Sequence, residues 1–186
     1  MEALDALLNR VSAPRLLEPA PTAEQREVLF AAALRAPDHG QLRPYRFLTV
    51  EGEARHQLGE VLAQAVQAQG AEVAQAALDK ARAMPLRAPL IVVVVARLQD
   101  HFKVPKSEQL ITAGCAAHAI ELAAFAQGIG AVWRTGELSY NAHVAKGLGL
   151  GEGEEVVAFL YLGTPQNELR TAPAVDSAEF VQVWSA

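Results

Sequence analysis

Apolar positions recur along the chain with a helical period in some stretches and as short continuous or alternating runs in others, and the switches between them divide it into elements. Leu4, Leu7 and Leu8 share one face of a helix over Ala3–Asn9, and Pro14 prevents its continuation. Pro19 and Pro21 keep the next stretch extended. Thr22, with Gln25 three residues on, makes a capping box that opens a second helix. Val28, Leu29, Ala32, Ala33 and Ala36 carry that helix to Pro37. A loop over 38–44 leads to a strand at Tyr45–Glu51. Two polar-faced helices follow, at 53–69 and 72–83, separated by Gly70 and closed by Pro85 and Pro89. The run 90–96, Leu-Ile-Val-Val-Val-Val-Ala, is apolar without alternation, which predicts a strand buried on both faces.

The longest periodic stretch follows a loop at 100–106. Residues 107–127 predict a helix of five or six turns, with Ser107 as its N-cap. After Gln109 only His118 and Glu121 interrupt its apolar surface, so it is expected to be enclosed on nearly every side, with a second copy of the chain as one neighbour. Those polar residues, with Glu108 and Gln127, argue against a membrane span. Gly128 ends the helix, and 131–133 begins a strand that finishes in Arg134-Thr135-Gly136. A short helix at 141–148 and a strand at 156–163 come next. Residues 164–186 show no period, but Phe180, Val181, Val183 and Trp184 are too apolar for a free tail and should pack on something. Strands interleaved with helices, some crossings too short for βαβ units, predict a single α+β domain over 1–186.

Composition narrows the function classes. A net charge of −5 argues against nucleic acid as the main partner, because phosphate neutralisation needs a basic face. The single Cys115 excludes an internal disulfide and, lying in the apolar helix, reads as packing. The opening residues 1–5 are acidic and amphipathic rather than a basic-then-apolar leader, which predicts a cytoplasmic protein.

Several constellations invite chemistry and fail on context. The glycines between Gly147 and Gly153 follow a helix and open none, so they read as a turn rather than a dinucleotide loop. Asp38, His39 and His101 lack the spacing of a zinc site, and no metal is expected. No Ser sits in a nucleophile elbow. What remains is a set of cations in three separate places: Arg10 and Arg15, then Arg35, His39 and Arg43, then Arg134. Ser12 and Thr135 lie among them with hydroxyls. Singly each is a surface charge; together they would surround a phosphorylated cofactor, with Gly128 and Gly130 admitting a flat ring against the backbone.

Four motifs in this order carry a resemblance. They are Arg10-x-Ser12 after a short helix; Arg35-Ala-Pro-Asp-His39 with Pro44-Tyr45-x-Phe47; Ala-Gln-Gly-Ile-Gly-Ala-Val-Trp-Arg-Thr-Gly ending at Gly136; and Phe-Leu-Tyr-Leu-Gly-Thr-Pro ending at Pro165. Together they resemble the nitroreductase family in its short bacterial branch. The resemblance implies an FMN-binding fold with a central, mostly antiparallel sheet flanked by helices. It also implies an intertwined homodimer with FMN at the subunit interface, on which 164–186 forms a packing arm. Arg10, Val11, Ser12, Trp133, Arg134 and Thr135 would hold the cofactor at its ribityl-phosphate end, with Arg15 near the pyrimidine edge. Arg35 and His39 would reach it from the partner subunit. Residues Ala123, Ala124, Phe125, Ala126, Gln127 and Gly128 would border the nicotinamide of NAD(P)H. The chain departs from larger members at Asp38-His39-Gly40, at Arg43-Pro44-Tyr45, and in having only Arg170 where a basic pair is usual. The activity implied is ping-pong transfer of hydride from NAD(P)H, through flavin N5, to a nitroaromatic or quinone-like acceptor. The alternative is a flavin-binding carrier or redox sensor without turnover.

Overall fold

Strand β3 (Leu90–Arg97) explains the architecture, because every residue from 90 to 96 is buried. The computed structural model describes residues 1–70 and 72–185. Ala71, in the gap between the two polar-faced helices, and Ala186, the end of the arm, lie outside the described residues. On one edge β3 pairs with β2 (Tyr45–Glu51) and on the other with β5 (Glu154–Pro165), antiparallel in both cases. Strand β5 also pairs antiparallel with β4 (Gly130–Arg134) and, at its end, with the two-residue β1 (Leu16–Leu17).

The unbroken apolar run of β3 arises because the sheet is covered twice. Leu90, Val92, Val94 and Ala96 join a core with the long helix α5 (Lys106–Ala126) and with Leu29 and Ala33 of α2 (Ala23–Ala33). Ile91, Val93 and Val95 face the opposite core, built on α3 (Ala54–Gln67), α4 (Gln75–Ala83) and α6 (Ala142–Gly147). In β5 the alternation breaks once. Val156 belongs to the second core and Ala158 to the first, although both are even-numbered. A bulge at that point, where Val94 pairs with Ala158 and Val95 with Val156, inserts Val157 and resets the phase.

Local chemistry sets most element ends. The Thr22–Gln25 capping box forms in both directions. Helix α2 stops at Ala33 rather than Ala36, because the Arg35 and Ala36 N–H groups tighten onto the Ala32 and Ala33 carbonyls ahead of Pro37. Ser107 is not the N-cap of α5. Pro105 takes that place in extended conformation, and its carbonyl accepts the first helical N–H groups. At the far end Gly128, at φ 74°, closes a Schellman motif: Ile129 N–H donates to Ala124 O and Gly128 N–H to Phe125 O. Helix α1 (Ala3–Asn9) forms as expected.

Strand β5 starts two residues earlier than its apolar run because Glu154 is held by ions. Arg46 donates to both Glu154 oxygens at 2.7 Å, and Arg97 lies 3.7 Å away. The Arg46 hydrogen bonds hold its pKa down, from 4.5 to about 2. A carboxyl with a depressed folded pKa stabilises above its unfolded pKa and loses that contribution as pH falls through the folded one. Glu154→Gln is therefore expected to flatten the loss of stability between about pH 4.5 and 2. A full shift is worth about 3 kcal/mol, and screening at this rim site leaves on the order of 1–2 kcal/mol. Urea melts of both proteins across that range measure it.

After Pro165 the chain runs along the surface. Phe180, Val181, Val183 and Trp184 are 69–93% exposed, so the described residues of one chain leave them largely uncovered. Among the described residues, helix α5 alone is long and apolar enough to cross a bilayer. Here Gln109, Thr112, Ile120 and Glu121 bury one side of it in the fold, while Leu110, Ile111 and His118 face outward.

Candidate functional site

Two of the three cation groups meet where the segment 10–17 crosses β4. The Ala13 N–H donates to Ala131 O at 2.8 Å, and Arg134 donates through Nη2 to Pro14 O at 3.4 Å. Gly130 and Gly163 pair across the β4–β5 ladder beneath this crossing. A Cβ at Gly130 would come within 2.5 Å of Leu16, 3.0 Å of Pro165 and 3.1 Å of Ala13. Gly130 therefore serves to seat the chain's own N-terminal segment, not a flat ring as its sequence position suggested. Gly128 has open space around it.

The crossing orders the expected ligands. Val11 and Ala13 are buried as anchors, Arg10 and Ser12 are half-buried, and Arg15 is exposed. Trp133 and Arg134 are half-buried on β4 and Thr135 is exposed. The Arg134 guanidinium lies 5.6 Å from the centroid of the Tyr161 ring, and its buried Nε has no partner. Arg15, Arg134 and Arg87 line one cavity of about 350 Å³. Arg134 and Arg87 also border an adjoining one of about 600 Å³ with Thr135, Ser139 and Tyr161. Burial raises the Tyr161 pKa, and Arg134 and Arg87 partly oppose it. Beside them, Ser12, Arg15 and Arg170 line a third cavity of about 450 Å³.

Sequence reasoning passed over Arg87, which lies between Pro85 and Pro89 with no motif to single it out. Tyr161 was hidden too, because it reads as one more apolar residue in a buried strand. Three guanidinium groups around a hollow, one with an orphaned buried N–H, suit a multiply charged anion such as a phosphomonoester. The donor set fits a phosphorylated cofactor.

Arg35 and His39 stand elsewhere. His39 pairs through Nδ1 with Glu108 Oε2 at 2.6 Å, at the start of α5. Trp133 and Arg10 lie near Glu121, about 20 Å further along the same helix at its rise per residue. Arg35 borders a groove of about 490 Å³ between α1, α2 and α5, floored by Gly114, Cys115 and His118. One chain thus separates the predicted set: His39 stands at the start of α5 and Arg35 beside its middle, while the segment 10–17 and β4 lie by its far end. Arg43, at φ 48°, belongs to a turn held by Asp38, which accepts from the Leu42 and Arg43 N–H groups.

The expected nicotinamide border, 123–128, is the last turn of α5 and its cap. Ala124 is buried, Ala123, Phe125 and Gln127 are half-buried, and Ala126 and Gly128 are exposed. Gln127 Nε2 donates to Ala123 O at 3.2 Å and reaches Gln25 O at 3.5 Å. Among the described residues no group of three or more His, Cys, Asp or Glu is placed to hold a metal.

Comparison with known proteins fits this geometry. The model of the nitroreductase family matches residues 9–164. "Putative NAD(P)H nitroreductase YdjA" of Escherichia coli (strain K12) is 47% identical over 182 residues, covering 97% of this chain and 98% of that one. A crystal structure of a nitroreductase-like family protein from Bacillus cereus superimposes with a TM-score of 0.85 at 19% identity, over 100% of this chain and 97% of that one. An FMN and NADPH-dependent nitroreductase from Sphigopyxis sp. strain HMH, solved as a mutant, gives 0.77 at 18% identity over the whole of both chains. By the family match and by the near end-to-end identity with a curated relative, this chain belongs to the nitroreductase family.

Proposed function

We propose that this chain is an NAD(P)H-dependent FMN oxidoreductase that reduces an electron-poor small molecule, a nitroaromatic or a quinone. The observation that carries the reading is the convergence of Arg15, Arg87 and Arg134 on one hollow beside Ser12 and Thr135. The names of relatives point the same way: one is named "Putative NAD(P)H nitroreductase YdjA" and another an FMN and NADPH-dependent nitroreductase. Bound FMN supplies the hydride carrier at its N5. Arg87 and Arg134 hold the phosphate in that hollow with Arg10 and Ser12 along the ribityl chain and Val11, Trp133 and Thr135 around them, and Arg15, at the hollow's exposed rim, extends its positive charge toward the pyrimidine edge. The 123–128 turn borders the nicotinamide. Donor and acceptor would occupy the same place in turn, and the proton that completes the acceptor's reduction would come from solvent, so no side chain need supply it. The protein's contribution is orientation and electrostatics. We assign it to the cytoplasm, where NAD(P)H is supplied.

In this reading two copies pair across α5. Ile111 is 64% exposed and Leu4 68%, and most of the lining of the groove between α1, α2 and α5 is apolar. A second copy turned about a twofold axis brings its Arg35 and His39 to the first copy's arginines. The apolar residues of the 164–186 arm then find cover on the partner. Ile111→Glu is expected to give a monomer by analytical ultracentrifugation and to lose FMN with it. A variant that stays dimeric and yellow overturns this arrangement.

The visible absorbance spectrum of the purified protein, after incubation with FMN and gel filtration, tests the cofactor. A colourless protein rejects the reading. A yellow one without NAD(P)H oxidation for any acceptor is instead a flavin carrier or sensor.

A further inference from the structure

Among the described residues three buried side-chain polar atoms have no hydrogen-bond partner: Glu121 Oε1, Arg134 Nε and Ser139 Oγ. Two of the three belong to residues that line one cavity, the hollow of about 600 Å³ beside the smaller one where Arg15, Arg87 and Arg134 meet. A buried donor without an acceptor costs folding free energy, so two of them around one cavity point to a ligand that satisfies both.

The cavity lies on the face of the sheet that α5 does not cover. Leu62 and Val66 of α3, Met84 just after α4, and Phe159 and Tyr161 of β5 form its apolar walls. Ser139 sits in the turn after β4, where its N–H donates to Gly136 O, and it is 5% exposed. Both orphaned atoms can donate, one as a guanidinium N–H and the other as a hydroxyl, and a carboxylate accepts from two donors at once. Charge favours the same ligand. Lys80, Arg87 and Arg134 border the cavity against one carboxylate, Glu137. Among the described residues Lys80 and Arg87 are in no salt bridge. Both are exposed, so they stand at the mouth, where their field draws an anion in. The Phe159 and Tyr161 rings suit a flat apolar body better than a compact hydrated ion.

We propose that this cavity is a binding site for an aromatic carboxylate of one or two rings. The carboxylate accepts from Arg134 Nε and Ser139 Oγ, and the rings lie between α3 and β5. The site stands across the sheet from the 123–128 turn, whose Ala123 and Ala124 pack into the α5 core, so it is separate from the place assigned to the nicotinamide. Its one link to the cofactor hollow runs through Arg87 and Arg134, which border both. The site does not depend on the FMN reading, because Ser139, Val66 and Lys80 belong to this cavity and to none of the residues given to the cofactor.

Calorimetric titration of 2-naphthoate into the FMN-loaded protein tests the site, with 2-naphthamide as the neutral probe of the same shape. Saturable binding of 2-naphthoate is expected, and at least about tenfold weaker binding of the amide, which lacks the charge that Arg134 pairs with. Ser139→Ala is expected to weaken 2-naphthoate about tenfold, the worth of one hydrogen bond to a charged group. It removes an unsatisfied hydroxyl, so the fold should hold, and a melting curve checks that. Val66→Trp, at a half-buried wall position, fills the cavity and should abolish the binding. A carboxylate stacked on the flavin instead would shift the flavin absorbance band and bind both variants as it binds wild type, which overturns the proposal. No saturable heat with wild type, the result for a cavity that holds only water, overturns it as well. The same titration before FMN is added tests the cavity by itself, so failure to take up FMN overturns the functional reading alone.

Discussion

Arg134→Ala is expected to weaken FMN binding by about 10- to 100-fold, the worth of one or two charge-assisted hydrogen bonds to a phosphate. Arg35→Ala is expected to weaken it less. The difference follows from how each side chain is prepared. Arg134 is half-buried, lies against the Tyr161 ring and presents a buried Nε that no group among the described residues satisfies. Its orientation is fixed before any ligand arrives, so little side-chain entropy opposes binding. Arg35 is exposed and must be ordered when the cofactor binds. Arg134→Lys should fall between wild type and the alanine variant, keeping the charge but losing the planar fork. Fluorescence titration of FMN against the cofactor-free proteins checks all three, and equal affinity for wild type and Arg134→Ala rejects the assignment.

Gly163→Ala should lower stability by about 3 kcal/mol and the melting temperature by roughly 10 °C. Strand propensity alone argues the other way, since replacing a strand glycine with alanine usually gains about 0.5–1 kcal/mol. The contacts decide the sign. A Cβ here would stand 2.6 Å from Pro89 Cδ and 2.9 Å from the Leu17 backbone oxygen. Neither a proline ring nor a backbone carbonyl can swing aside, so β1 must lift off β5. The segment carrying Arg10, Ser12 and Arg15 would move with it, and FMN affinity should fall in parallel with the melting temperature. Calorimetry and flavin titration on one preparation test both. A variant as stable as wild type would mean that the crossing is looser than its distances imply.

What was legible in the sequence follows a physical division. The Thr22–Gln25 cap, the Tyr45–Glu51 strand and the doubly buried β3 rest on local chemistry and on period, which one chain displays openly. Strand β1 escaped because Leu16 and Leu17 pair only through the end of β5, with no alternation long enough to see. The early start of β5 escaped because Glu154 looks like a loop residue until Arg46 and Arg97 meet it from distant strands. At the site, the motifs put Arg15 and Arg134 in one candidate set, and the structure brings these two to one hollow. Arg87 joins them through the antiparallel return of β3 beside β5, which no local pattern announces. Gly130 was assigned to a ligand when its space belongs to Leu16, Pro165 and Ala13.

The length of α5 has a consequence for how damage is shared. Different stretches of it stand beside the two halves of the proposed ligand set, so under twofold pairing each pocket would borrow one half from its neighbour. A lesion at Arg134 and a lesion at Arg35, placed on separate copies, would then fall together in one pocket and leave the opposite pocket whole. Two polypeptides that are each defective alone would complement one another when mixed.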